Sequence, residues 1–219
     1  MIPLKDENPQ RSFPVVTILL ITINVAVFIY QLLMHQAESQ AFVYQFGAVP
    51  NVIVHGQNLY APFTSMFLHG GLLHIAGNML YLWIFGDNVE YLCGHFRFLL
   101  FYLLCGFIAF LSHFLTAPFS NIPMIGASGA ISGVLGAYAL KFPRARVYVL
   151  IPLFIWIWRV FRIPAAIVLG FWFLIQIISG LFSAGSGAGV AWFAHIGGFV
   201  AGMLLIKMFE KKRYKLSFD

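Results

Sequence analysis

Charge is what this chain has least of. Only 9% of its 219 residues are Asp, Glu, Lys or Arg, while 61% are hydrophobic. A water-soluble domain carries roughly a quarter charged residues, so a soluble globule of this size is excluded. Cysteine is almost missing as well. Cys93 falls in the turn after one apolar run and Cys105 inside the next, which argues against a disulfide framework. No internal repeat, no low-complexity tract and no His-Glu-x-x-His run occurs. The chain reads as one domain over residues 1–219.

Long apolar runs stand where the charges do not. They predict membrane spans at residues 13–33, 71–91, 98–115, 127–140, 165–182 and 189–208. The fourth is short for a span, which small residues at a packed bundle centre permit. Residues 147–158 are also apolar, but prolines and flanking arginines limit them. They read as an interfacial or re-entrant segment, with a seventh span as the competing assignment. The first run is too long, and lacks a small-residue cleavage site, to be a removable signal peptide.

Basic residues orient the bundle. Lys5 and Arg11 precede the first run, and Arg97 lies between the second and third. Lys141, Arg144, Arg146, Arg159 and Arg162 lie between the fourth and fifth, and Lys207, Lys211, Lys212, Arg213 and Lys215 close the chain. With six crossings all 13 fall on one side, and the connections 34–70, 116–126 and 183–188 carry none. The expected fold is therefore an all-α membrane protein, a six-transmembrane-helix bundle with both termini cytoplasmic. A net charge of +6 then needs no nucleic-acid partner.

Polar groups inside a bilayer are costly and mark partners or water-filled cavities. The runs contain His74 and Asn78, His113, Ser128 and Ser132, Gln176 and Ser179, and His195. In the six-span orientation, His74, Ser128 and His195 lie near the outer ends of their helices. Asn78 follows His74 one turn deeper on the same face. Gly198 and Gly202 share the face of His195, while Gly129, Gly133 and Gly136 line the fourth run. Such small residues let helices approach closely, bringing Ser128 within reach of His195 as a nucleophile and its base require. Of the seven acids only Glu38 falls on the outer side, in a loop. A Ser-His-Asp triad cannot be assembled, so packing against Gly198, Gly202 and the fourth run is expected to hold the imidazole.

Each feature also has a plainer explanation. Intramembrane serines commonly bond their own i−4 carbonyl, the expectation for Ser132. His113 and Gln176 read as packing or interhelical bonding, and His69 as holding the connection before the second run.

The stretches "FLHGGLLHIAGNMLYLWIFGDNVE", "GASGAISGVLGAY" and "AHIGGFVAG", in this order and topology, resemble the rhomboid family of intramembrane serine proteases. The resemblance runs from the first apolar run to the last and includes the basic Arg97 after the second. It implies that Ser128 is the nucleophile and His195 the general base. It implies an oxyanion hole of His74, Asn78 and the backbone N–H of Ser128. A cavity open to the outer aqueous phase is also implied, with the fifth span and the loop after it as a substrate gate. Two positions depart from familiar members. Residues 34–70 lack the Trp-Arg pair of some rhomboids, and Ser132 stands where others carry a tyrosine that stacks on the base.

The expected partners are membrane-anchored protein substrates and the lipid bilayer, with no cofactor, no metal and no nucleic acid. The expected location is a bacterial cytoplasmic membrane, as a multi-pass protein. Three other readings compete. A catalytically inactive rhomboid-like scaffold that binds clients would be expected to lack Ser128 or His195. A proton path through His74, His113 and His195 leaves the serine and the amide unexplained. For a metalloprotease, His69 and His74 stand roughly 140° apart on a helix.

Overall fold

The computed structural model describes residues 1–9, 12–154, 157–183 and 191–211. Arg11, the connection 184–188, the start of the sixth run at 189–190 and the basic Lys212, Arg213 and Lys215 lie outside the described residues. The chain opens with strand β1 (Ile2–Asp6) and helix α1 (Val15–Leu33). A folded connection follows, with α2 (Gln36–Phe46), α3 (Pro50–Val54), α4 (Ala61–Thr64) and a 3-10 turn at Ser65–Phe67. Helices α5 (Leu72–Cys93), α6 (His95–Phe114) and α7 (Ser128–Lys141) come next, then strands β2 (Arg146–Phe154) and β3 (Ile157–Pro164). Helices α8 (Ala165–Ser183) and α9 (Trp192–Phe209) complete the described chain. Four of these, α1, α6, α8 and α9, are long and apolar enough to cross a membrane. Helix α5 carries Asp87 and Glu90 near its end, and α7 has only 14 residues.

The protein is mostly helical but not all-α. Strands β1, β2 and β3 form an antiparallel sheet in that order. Of residues 147–158, expected as an interfacial or re-entrant segment or a seventh span, 147–154 and 157–158 belong instead to two paired strands. Arg146 pairs with Pro164, and Leu150 with Val160. Valine, tyrosine and isoleucine favour a pleated surface, and Pro152 would break a helix there. Val147 and Val149 alternate inward and are fully buried. The outer partner comes from the other end of the chain, with Ile2 opposite Leu150 and Asp6 opposite Val147.

Helix α7 is the centre of the bundle. Every residue from Ala130 to Tyr138 is buried, so this helix needs no lipid-facing surface and can be short. Glycine weakens a helix by about 1 kcal/mol relative to alanine, yet α7 carries three. The close packing explains them. A Cβ on Gly133 would lie 2.4 Å from Cβ of Cys105 in α6, and one on Gly129 would lie 2.7 Å from Ala109. On the other side α9 rides directly over the α7 backbone. A Cβ on Gly198 would sit 2.1 Å from the Gly129 carbonyl oxygen, and one on Gly202 1.8 Å from that of Gly133.

Carboxylates organise the end of the bundle that bears the sheet. Pro14 offers no side-chain cap to α1. Glu90 of α5, 1% exposed, supplies it by accepting the N–H groups of Val16 and Thr17 at 2.8 Å and the Thr17 hydroxyl at 2.7 Å. Oε1, the oxygen that accepts from Val16, also meets His95 Nδ1 at 2.6 Å. Lys141, at the end of α7, pairs with Glu210 beyond α9 at 2.5 Å, and Arg162 pairs with Glu7. The N-terminal strand, the other two strands and the end of α9 thus meet at one end.

Asp6 is part of this meeting point. Its carboxylate accepts the Tyr138 hydroxyl and the Asn88 amide at 3.2 Å. Burial, with the Asp87 charge adding to it, pushes the Asp6 carboxyl up to about 6. A raised pKa means that the folded protein holds this proton more tightly than the unfolded chain. The associated stability is complete below the unfolded value and is lost as pH rises through 6. Asp6→Asn keeps an acceptor for Tyr138 without a charge. Thermal unfolding from pH 4 to pH 8 should show the variant gaining on the wild type as pH rises, with the gain levelling off above about pH 7.

Candidate active site

Ser128 opens α7, where the first backbone N–H groups have no partner within the helix. Its approach is fixed by the connection after α1. Ala48 and Met124 exchange backbone hydrogen bonds at 2.9 and 3.0 Å, and Gly126 N–H donates to the Ser65 carbonyl at 2.9 Å. The close α7–α9 contact brings His195 to the serine, with Nε2 2.8 Å from Ser128 Oγ. Ser132 does not join them. Its hydroxyl donates to the Ser128 carbonyl one turn back, at 2.6 Å.

The imidazole of His195 is engaged on its other edge too. Nδ1 lies 2.8 Å from Gln176 Oε1 on α8. This departs from the expectation that glycine packing alone would hold the ring. The Trp172 and Trp192 rings also flank it, at centroid distances of 6.0 and 6.2 Å. The contact is of the interhelical kind expected for Gln176, but the sequence did not name His195 as its partner. One signal was available. Gln176 is four residues after Trp172, so both lie on one face.

His74 and Asn78 project from α5 toward the same point. The Gly70 N–H donates to His74 Nδ1 at 3.4 Å, which leaves Nε2 to carry the proton. His74 Nε2 lies beside Gly126, where a Cβ would come within 2.7 Å of it and 3.7 Å of Asn78 Nδ2. Both donors therefore lie against the backbone that leads into Ser128. Asn78 is held in turn by His69, whose Nε2 accepts its amide at 2.9 Å. The backbone of His69 is clamped by Gln31 of α1, with N–H to Oε1 at 3.1 Å and carbonyl to Nε2 at 3.4 Å. Burial lowers the His69 pKa to about 4, with His74 adding to the shift. His69 thus stays neutral near pH 7 and can accept from Asn78.

These residues line one cavity of about 1050 Å³, with His74, Asn78, Ser128, Gln176 and His195 on its wall. His113 of α6 also faces it, and its Nδ1 has no hydrogen-bond partner among the described residues. His69 and His74 come close, with ring centroids 5.1 Å apart, but no group of three His, Cys, Asp or Glu among the described residues could hold a metal ion. Gly129, Gly133, Gly198 and Gly202 stay behind the cavity, in the helix contacts that set its depth. The arrangement can deprotonate a serine hydroxyl and offer neutral donors to an oxygen developing charge beside it.

Residues 56–212 match the Rhomboid domain family. The chain is 34% identical over 128 residues to the Rhomboid protease GluP of Bacillus subtilis (strain 168), covering 58% of this chain and 25% of that protein. It is 32% identical over 156 residues to the RHOMBOID-like protein 1 of Arabidopsis thaliana, covering 71% of this chain and 36% of that protein. It is 35% identical over 95 residues to the human mitochondrial presenilin-associated rhomboid-like protein, covering 41% of this chain and 24% of that protein. The chain thus spans well under half the length of these relatives.

Gly126 has φ of +118°, a conformation that side chains with a Cβ rarely adopt. Gly126→Ala adds backbone strain to the clash with His74. The expected result is a loss of about 1–3 kcal/mol in thermal stability. The reaction of Ser128 with a fluorophosphonate should also slow, because His74 is pushed away. Unfolding scans and labelling rates on the purified protein check both.

Proposed function

Because the chain belongs to the rhomboid family, an integral multi-pass membrane family, we propose that it is an intramembrane serine protease. It hydrolyses peptide bonds in or next to the transmembrane segments of membrane-anchored proteins. The observation that carries this reading is the 2.8 Å contact between Ser128 Oγ and His195 Nε2, made between two helices at the wall of a cavity that His74 and Asn78 also line.

In the proposed reaction His195 Nε2 takes the hydroxyl proton as Ser128 Oγ attacks the scissile carbonyl carbon. The carbonyl oxygen becomes an oxyanion, stabilised by His74 Nε2–H, the Asn78 amide and the N–H of Ser128 at the positive end of α7. The imidazolium then gives its proton to the leaving amine, and an acyl-enzyme remains. Water from the cavity repeats the attack with His195 again as base, releasing the acid and restoring the serine. A scissile bond within a helix is shielded by its own hydrogen bonds, so substrates with helix-breaking residues near the cut are favoured.

We further propose six crossings, with α5 and α7 joining the four apolar helices. At 1.5 Å per residue α7 is about 21 Å long, shorter than the hydrocarbon core. Its burial among the other helices supports counting it as a span. Both termini face the cytoplasm in this reading, which the basic residues at the sheet-bearing end support. A bacterial cytoplasmic membrane is the proposed location, in keeping with the bacterial relative. Reporters fused before Met1 and after Asp219 should both read cytoplasmic, and an outward C-terminal reading would overturn the six-span count.

Activity is tested with the purified chain and a membrane-anchored substrate. Ser128→Ala should abolish cleavage and fluorophosphonate labelling while leaving thermal stability nearly unchanged. His195→Ala should be almost as severe, since no other group can take the serine proton. Asn78→Ala removes one donor of three, so turnover should fall by roughly ten- to a thousandfold. A wild type that neither cuts nor labels would leave a client-binding scaffold as the function.

A further inference from the structure

We infer that Gln176 is a positioning residue for the reaction proposed above: it holds His195 in the one neutral tautomer that can accept the Ser128 proton. The inference rests on the protease reading and adds a third, uncharged member to the dyad.

The argument starts from the amide itself. Gln176 is 5% exposed and sits on an apolar helix, where an unsatisfied amide would cost several kcal/mol. Its Nε2 donates to the Trp172 carbonyl one turn back, at 3.2 Å. A carbonyl oxygen can only accept. Turning the amide over would set two oxygens against each other, so Oε1 must face the ring. Oε1 is itself only an acceptor, and it lies 2.8 Å from His195 Nδ1. Nδ1 therefore carries the proton. Neutral imidazole has one N–H and one lone pair, so the lone pair is on Nε2, 2.8 Å from Ser128 Oγ. The chain of bonds runs in one direction, from the Ser128 hydroxyl through the ring and the amide to the Trp172 carbonyl.

Among the described residues, the hydrogen bond seen at His195 Nδ1 is the one to Gln176 Oε1. Two further titratable groups, His74 on α5 and His113 on α6, line the same cavity as His195. An aspartate in place of Gln176 would set the same tautomer, but only by burying a negative charge in the bundle. The amide selects the tautomer without that cost. When the base becomes imidazolium, the Nδ1–H bond to Oε1 persists and keeps the ring aimed at the leaving group.

The test compares Gln176→Met, which keeps the length without an acceptor, with Gln176→Glu, which keeps an acceptor oxygen. Gln176→Leu serves as a second acceptor-free variant. Each full-length protein is purified, its active fraction is titrated with fluorophosphonate, and kcat and KM are measured on one membrane-anchored substrate. Loss of the acceptor should lower kcat per labelled site roughly ten- to a hundredfold, with KM changed by less than about twofold. Gln176→Glu should recover most of that loss. A purely structural role would reduce the labelled fraction and thermal midpoint but not kcat per labelled site. The inference is overturned if acceptor-free variants keep kcat within about threefold of wild type, or if the glutamate variant is as impaired as they are. An inactive, unlabelled wild type would instead defeat the protease reading, before any variant is compared.

Discussion

The structure depends on how closely α9 can lie over α7. Gly198 and Gly202 rest on the carbonyl oxygens of Gly129 and Gly133, at distances no side chain could occupy. Gly136 meets the Phe199 carbonyl in the same way, a Cβ there falling 2.0 Å from the oxygen. Backbone against backbone is the tightest packing that two helices can reach, and small residues are what permit it in lipid. The position of His195, one turn before Gly198, follows from this contact. So does its distance from Ser128, because both residues stand at the ends of the segments that touch. The glycines weaken α7 as an isolated helix, and the burial of Ala130 to Tyr138 offsets that weakness.

Much of this was legible in the sequence, since it is written at helical spacing. Ser128 with its following glycines, His195 with Gly198 and Gly202, and His74 with Asn78 each lie within two turns. Local periodicity reports such patterns directly. The sheet was not legible. Residues 147–158 are rich in aromatic and β-branched side chains, which suit a strand, an interfacial segment or a buried helix. The strand that completes the sheet lies at the opposite end of the chain, with Ile2 beside Leu150, and no local pattern announces so distant a partner.

Several contacts in the site were hidden for a related reason. His69 holds Asn78 across nine residues that include a helix start, and Gly126 faces His74 from a different segment. Gln176 reaches His195 from the neighbouring helix. A sequence shows which polar residues lie in apolar surroundings, but not which of them meet. The one acid assigned to the outer side, Glu38, lies in a loop, so the sequence pointed to an imidazole held by packing. The tertiary fold was needed to show that an amide, and not packing alone, touches Nδ1.

The two ends of the bundle handle polarity in opposite ways. At the sheet-bearing end, Asp6, Glu7, Glu90 and Glu210 take hydroxyls, backbone N–H groups, an arginine and a lysine. Two of these carboxylates, Glu7 and Glu210, are paired with basic side chains, which suits a surface in contact with water and headgroups. At the other end His69, Asn78, Ser128, Gln176 and His195 form hydrogen bonds among groups that can all be neutral. A resting site without net charge avoids the desolvation cost of burying ions. In the proposed reaction, charge arises only when a proton leaves Ser128 for His195, and it arises as a close pair of imidazolium and oxyanion. Donors that are already oriented stabilise such a pair without reorganising. In the proposed reading, that neutrality at rest lets a hydrolytic site be assembled inside a bundle of apolar helices.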